Sequence, residues 1–428
     1  MVRILLAVIL IVTSCTVTVS ALFWRTETVD STTSDVGRHN SLALDASGNP
    51  RISYYDGIYG DLEYAWNDGT AWHTDTVEEA GGPLGAGAFT SLALDAAGNP
   101  RISYHDFSEG LEYAWRDGSG WHVETVDSNK GTVGYHTSLA LDGVGNPRIS
   151  YQDCSKQDLK YAWKDSGGWH NFTVDSAGNT GTGTSLALDL DGNPRISYLN
   201  YYPNRDLLYA WYGTSGWQIR TIDWTGSVGE YSSLALHGGG DPRISYWDQS
   251  NDNLKFAWQD SSGWHIEIVD EAGMVGQFTS LALDGAGRPR ISYYDRTNLS
   301  LKYAWHDGEH WWTETVDSSG SVGKYSSLAL DDDGNPHISY YDETNGHLKY
   351  ASAAPVVSIP GGVGVPRDLN RDGKFEDVNG NGRPDFADVV LYFNQMTWIG
   401  ANEPVAAFDY NGNGRIDFAD VTWLFNNL

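Results

Sequence analysis

SLALDGAGRPRISYYDRTNLSLKYAWHDGEHWWTETVD, residues 280 to 317, returns in near copy along most of the chain, and its reading decides the fold. SLAL begins at Ser41, Ser91, Ser138, Ser185, Ser233, Ser280 and Ser327, in steps of 50, 47, 47, 48, 47 and 47 residues. Seven copies at this period point to a propeller or a solenoid. Each copy holds four short runs, SLALD, RISYYD, LKYAW and WHxETVD, rich in β-branched and aromatic residues or alternating in polarity, and none has helical apolar spacing. GNP-type turns such as Gly48-Asn49-Pro50 join the first two runs, and DG or SG pairs the last two, which is hairpin chemistry. Four antiparallel strands per copy make one propeller blade.

The last copy stops at LKYAS, Leu348 to Ser352, without a fourth run, while FWRTETVD, Phe23 to Asp30, precedes the first SLAL and matches Trp311 to Asp317. The expected fold is therefore an all-β seven-bladed propeller over 22–352, closed by the N-terminal strand, since closure removes an open sheet edge. With the closing strand outermost, SLALD lines the axial channel. The repeat resembles secreted prokaryotic propellers of ALDxxGNPxISYYD repeats.

Composition narrows the partners. A formal charge of -29 excludes nucleic acid and anionic membrane, which need clustered Lys and Arg. Only Cys15 and Cys154 are present, so no disulfide framework is expected. Residues 1–21 read as a secretory signal, with Arg3, an apolar run from Ile4 to Val12 too short to span a bilayer, and Val19-Ser20-Ala21 at the cleavage point. The expected location is secreted or cell-surface. Val12-Thr13-Ser14-Cys15 gives the alternative, a lipoprotein anchored at Cys15.

Two rings of residues fall on the face opposite the GNP turns. One precedes SLAL: His39, Phe89, His136, Gly183, Tyr231, Phe278 and Tyr325. The other ends the second strand: Tyr55, His105, Gln152, Leu199, Trp247, Tyr294 and Tyr341. Aromatic and His members of both are the candidate ligand face, able to stack on sugars or grip peptide side chains. The competing reading is packing, because a residue type repeated in every copy usually serves the blade. Cross-strand ion pairs between the Arg of RIS and the Asp of SLALD are the expected role of those charges. No GxSxG, HExxH, phosphate loop or Asp-box occurs, so no catalytic residue is named.

After Ser352 comes a Pro/Gly-rich linker, 353–367, and then a second domain, 368–428. DVNGNGRPDFAD from Asp377 and DYNGNGRIDFAD from Asp409 each carry oxygen side chains at positions one, three, five, nine and twelve with Gly at six, the spacing of a Ca2+ loop. The first would use Asp377, Asn379, Asn381, the Arg383 carbonyl, Asp385 and Asp388. The second would use Asp409, Asn411, Asn413, the Arg415 carbonyl, Asp417 and Asp420. A string from Asp368 to Glu376 forms a partial third loop.

This module resembles a dockerin, with two loop-helix repeats ending in Asp at position twelve. The resemblance implies folding on calcium and docking onto a cohesin-type partner on a scaffold or cell surface, read through positions ten and eleven, here Phe386-Ala387 and Phe418-Ala419. It also implies a setting in polysaccharide degradation. The first expectation for the whole chain is a binding protein whose propeller takes a glycan or protein. The alternatives are a propeller glycoside hydrolase or polysaccharide lyase, and a structural surface or adhesion protein.

Overall fold

The structure, a computed structural model, describes residues 22–79, 85–129, 131–238, 240–355, 357–367, 369, 374–403 and 405–427. The signal with Cys15, part of the Gly-rich entry to blade two, and most of the partial third loop lie outside them. The chain divides into two compact units, one of them Trp24–Ser352 and the other containing Ala353–Leu428.

All seven copies fold as four-stranded antiparallel sheets. In the sixth the strands are Val275–Leu283, Pro289–Asp295, Ser300–His306 and Trp311–Asp317. The innermost strand thus starts ahead of SLAL. The seventh sheet takes Val322–Leu330, Pro336–Asp342 and His347–Pro355 from the last copy and adds Leu22–Asp30 as its outermost strand, so the N-terminal strand closes the ring.

Repeated side chains tie each blade to the next. The Oγ of Ser41 accepts from the Leu92 amide, Ser185 from Leu234, and Ser327 closes the circle on Leu42, each at 3.0 Å. The Ser of RIS makes a second circle with the residue just before the next SLAL: Ser53 with Thr90 at 2.6 Å, Ser150 with Thr184 at 2.8 Å, and Ser339 with Asn40 at 2.5 Å. The buried Tyr of ISY donates to the acid ending the previous blade's outer strand, as in Tyr54 to Asp30 at 2.6 Å and Tyr340 to Asp317 at 2.7 Å. The Trp opening each outer strand packs edge-on against the preceding blade's Tyr or Phe, and Trp24 does so on Tyr303 with centroids 5.3 Å apart. These contacts carry much of the packing between neighbouring blades.

The blades also approach too closely for a side chain at one place. A Cβ at Gly37 would lie 2.7 Å from the Cα of Leu348, and one at Gly323 2.7 Å from the Cα of Leu301. Both glycines have strongly positive φ, so steric room and backbone geometry select the same residue. The expected hairpin ion pairs form: Arg51–Asp45, Arg101–Asp95, Arg148–Asp142, Arg195–Asp189 and Arg290–Asp284, at 2.6 to 2.8 Å. In blade five His237 replaces the Asp, and Arg243 turns to the Gln259 carbonyl at 2.8 Å.

One charge position breaks the repeat. Lys160, Lys255, Lys302 and Lys349 reach the same acid that accepts from the buried Tyr. Blades one and two have Glu63 and Glu112 there. Glu112 is 3% exposed and its Oε1 has no hydrogen-bond partner among the described residues. Burial, with Thr125 opposing and the Glu78 and Asp106 charges adding, pushes its carboxyl up to about 7.

The C-terminal unit holds helices α1 (Phe386–Asn402), α2 (Val405–Phe408) and α3 (Phe418–Asn426). Val378, Val389, Tyr392, Ile399, Phe408, Val421 and Leu424 form its core. The stretch 353–367 differs from the linker expected of it. The last propeller strand runs to Pro355, and Ile359, 1% exposed, is buried in the C-terminal core. The Val363 amide donates to the Asn379 carbonyl at 2.8 Å, and Arg367 bridges to Asp377. Its Pro and Gly residues signalled a loop, but Ile359 among them joins a core, with Val365 packed against it. Among the described residues no helix is long and apolar enough to cross a membrane.

Candidate functional site

The axial mouth is shaped by a backbone device that repeats around the ring. Two residues before each SLAL the strand bulges, with register breaks such as that between Arg38 and Ser41. The bulged residue is left-handed, with φ of 53° at His39, 54° at Phe89, 52° at His136, 59° at Gly183, 56° at Tyr231, 54° at Phe278 and 54° at Tyr325. Bulky side chains are uncommon in that region, and the bulge that holds them there presents them to one shared cavity.

There they touch in sequence: His39–Phe89 at 4.4 Å between centroids, Phe89–His136 at 4.5 Å, Tyr231–Phe278 at 4.4 Å, Phe278–Tyr325 at 4.7 Å and Tyr325–His39 at 4.5 Å. Gly183 leaves a notch between His136 and Tyr231. With Asn40 and a circle of Thr and Ser, this ring lines a cavity of about 220 Å³ that contains no carboxylate. Burial, aided by the His136 and Arg38 charges, lowers His39 to about 3, and burial with His105 lowers His136 to about 4. Both imidazoles are neutral at pH 7, and each can accept as well as donate.

The second ring does not line the mouth. Tyr55, His105, Trp247, Tyr294 and Tyr341 are 0 to 7% exposed and stand behind the first. His39 lies 6.3 Å from Tyr55, Tyr231 6.1 Å from Trp247, Phe278 6.4 Å from Tyr294, Tyr325 6.3 Å from Tyr341 and Phe89 6.5 Å from His105. Sequence reasoning placed both rings on one face, and the bulge decides which of them is presented.

The two acidic loops of the C-terminal unit are near-superposable in hydrogen bonding. Asp377 accepts from the Asn381 amide at 2.9 Å and Gly382 at 2.7 Å, and Asp409 from Asn413 at 3.0 Å and Gly414 at 2.6 Å. Asp388 accepts from Asn379 at 2.8 Å and Asp385 at 2.7 Å, and Asp420 from Asn411 at 3.1 Å and Asp417 at 2.9 Å. Asp385 and Asp417 are the N-caps of α1 and α3, with Asp388 and Asp420 completing capping boxes. Loop positions nine and twelve therefore also start the helices.

Asp377, Asp388 and Asp420 have no exposed surface and Asp409 is 5% exposed. Burial and the nearby Asp377 and Asp385 charges push the Asp388 carboxyl up from its ordinary value. A hard dication relieves such a penalty, and the mixed set of Asp, Asn and carbonyl oxygens suits one. Among the described residues no group of three or more His, Cys, Asp or Glu is placed as a metal cluster, so the fit rests on this mixed set.

Phe386 and Phe418, the residues after the N-caps, are 62% and 63% exposed. Phe425 packs edge-on to Phe386 at 6.1 Å and Phe393 to Phe418 at 6.0 Å, each partner more than half exposed. The helices thus bury one apolar stripe and present a second, paired aromatic one. Ala387 and Ala419 sit beside it in the first turns.

No curated protein sequence matches the chain. Among solved structures, an ulvan lyase from a new family of polysaccharide lyases is 13% identical with a TM-score of 0.53, over 74% of this chain and 94% of that one. A protein of unknown function from Dyadobacter fermentans is 12% identical with a TM-score of 0.51, over 78% and 99%. The six-bladed fungal lectin of Aleuria aurantia is 17% identical with a TM-score of 0.46, over 69% and 99%. For the first two, at these identities, the likeness extends to the fold alone. Residues 375–428 match the dockerin type I domain, a family that binds calcium and docks onto cohesins, so behind its seven-bladed propeller this chain carries a dockerin.

Proposed function

We propose that the chain is an extracellular, non-catalytic glycan-binding propeller, delivered to a cohesin-bearing scaffold by a calcium-folded dockerin. The observation that carries this reading is the dockerin match over 375–428 on two loops that share the same buried carboxylates and capping boxes. In this reading 1–21 is the secretion signal, removed before the protein reaches its scaffold, and the dockerin region runs over 368–428. Asp377, Asn379, Asn381, the Arg383 carbonyl, Asp385 and Asp388 hold one Ca2+, and Asp409, Asn411, Asn413, the Arg415 carbonyl, Asp417 and Asp420 the other. Phe386, Ala387, Phe418 and Ala419 form the cohesin-facing stripe.

The mouth supports binding over catalysis. No carboxylate pair lines it, and His39 and His136, lowered to about 3 and about 4, are weak bases at neutral pH. Calcium-loaded protein, immobilised through its C-terminal unit on a cohesin, should retain soluble polysaccharide without releasing reducing or unsaturated ends. Release of product, or cohesin capture that persists in excess chelator, would refute the proposal.

A further inference from the structure

Resting on the glycan-binding reading, we infer that the outer groove between blades three and four is a second binding site, built for a neutral sugar ring. In the two preceding grooves the equivalent space is closed by an ion pair. Between blades one and two, Arg116 meets Asp75 at 3.5 Å and lies over Trp66 and Trp121, whose Nε1 donates to Asp75 at 3.0 Å. Between blades two and three, Lys164 pairs with Glu124 over Trp115 and Trp169, and the Trp169 Nε1 donates to Glu124 at 2.9 Å.

Between blades three and four both charges are gone. Phe172, paired with Tyr161 as Glu124 is with Tyr113, takes the acid's place, and Tyr212, paired with Trp217 as Lys164 is with Trp169, takes the cation's. What opens is a cavity of about 660 Å³ walled by Trp163, Phe172, Tyr212 and Trp217, with no charged residue in its lining. Phe172 is 51% and Tyr212 44% exposed. The volume falls in the range of small-molecule sites, about 300 to 1,000 Å³.

The chemistry of the walls selects the ligand. A pyranose has a face of C–H bonds and a rim of hydroxyls. Aromatic rings take the face, and the Trp217 indole N–H, with Phe172 standing at the position of the acid that accepts from Trp169, takes the rim with the Tyr212 and Thr173 hydroxyls. An anionic sugar needs the cation that Tyr212 has displaced.

The test titrates the full calcium-loaded chain with xylotetraose, cellotetraose, mannotetraose and tetragalacturonate, read by tryptophan fluorescence and calorimetry. At least one neutral oligosaccharide should bind. Phe172→Glu with Tyr212→Lys, which rebuilds the pair of the neighbouring groove, should weaken it tenfold or more, and so should Tyr212→Ala, whose exposed site keeps the fold intact. Lys164→Ala, in the next groove, should leave it unchanged. If a neutral oligosaccharide binds with no response to either groove variant, or only tetragalacturonate binds, the groove inference fails while the glycan reading stands. If no glycan binds at all, both fail.

Discussion

Replacing Glu112 with glutamine should stabilise the propeller at alkaline pH and leave it nearly unchanged at acid pH. The buried carboxyl sits at about 7 in the folded protein, against an unfolded value of about 4.3 for glutamate. A raised folded pKa means that the native state holds the proton more tightly than the unfolded chain. The contribution of this carboxyl is therefore most favourable below about pH 4.5, falls as pH climbs toward 7, and costs its full amount above it. A shift of roughly 2.5 units at 1.36 kcal/mol each gives about 3 kcal/mol. For a unit of roughly 330 residues, an unfolding entropy of about 2.1 cal/mol/K per residue turns this into about 4 °C.

Glutamine fills the same space without titrating, so its advantage should grow from near zero at pH 4.5 to that size at pH 8. Glu112→Lys should gain at least as much, because it recreates the pairing of Lys160 with Asp127 one blade on. Calorimetric unfolding of wild type and variants at both pH values measures it. An equal advantage at pH 4.5 and pH 8, or none at pH 8, would refute the reasoning.

Deleting residues 23–30 removes the outermost strand of the seventh sheet together with the acceptor of the Tyr54 hydroxyl, and should lower the melting temperature by well over 10 °C or cause aggregation; an unchanged transition would contradict closure. A fragment spanning 357–428, which retains Ile359, should show little helix by circular dichroism in chelator and gain it in millimolar calcium, and identical spectra would remove the metal from the account. Asp388→Ala and Asp420→Ala should each raise the calcium needed for that transition at least tenfold, because each carboxylate also caps its helix. Phe386→Ala with Phe418→Ala should leave the melting temperature within about 2 °C, since both rings are mostly exposed, yet weaken cohesin capture by a factor of ten or more in a pull-down.

The architecture was legible because a propeller writes its fold once per blade. Blade number, strand order and the closing strand all follow from SLAL spacing and one displaced WHxETVD run. Less visible was anything that depends on what a repeated residue touches in the next blade. The Ser of SLAL and the Tyr of ISY look like ordinary strand residues until Leu42 and Asp30 appear opposite Ser327 and Tyr54. Of the two candidate rings, sequence could not choose, because the choice is made by a backbone bulge that leaves alternation of residue types untouched. The groove between blades three and four did have a signal in Phe172, an exception to the column of Asp75, Glu124, Arg220, Glu267 and Glu314, and in Tyr212, which stands where blades two and three have Arg116 and Lys164. It stayed hidden because the two columns lie in different blades and only the fold brings them together. In the C-terminal unit the loop code picked out acids that make the same hydrogen bonds in both loops, while Pro and Gly content masked Ile359 as part of a core.

The strand that precedes the dockerin, His347–Pro355, is not at a sheet edge, because Leu22–Asp30 flanks it on one side and Pro336–Asp342 on the other. A protein tethered by its C-terminal unit in flowing or crowded surroundings bears tension along the strand that leads to the tether. With both neighbours in place, that load must break two ladders of hydrogen bonds together in shear. Without the N-terminal strand it would peel a free margin one bond at a time. For a chain held at its C-terminal unit, the same latch that completes the ring would thus give the point of attachment its mechanical strength.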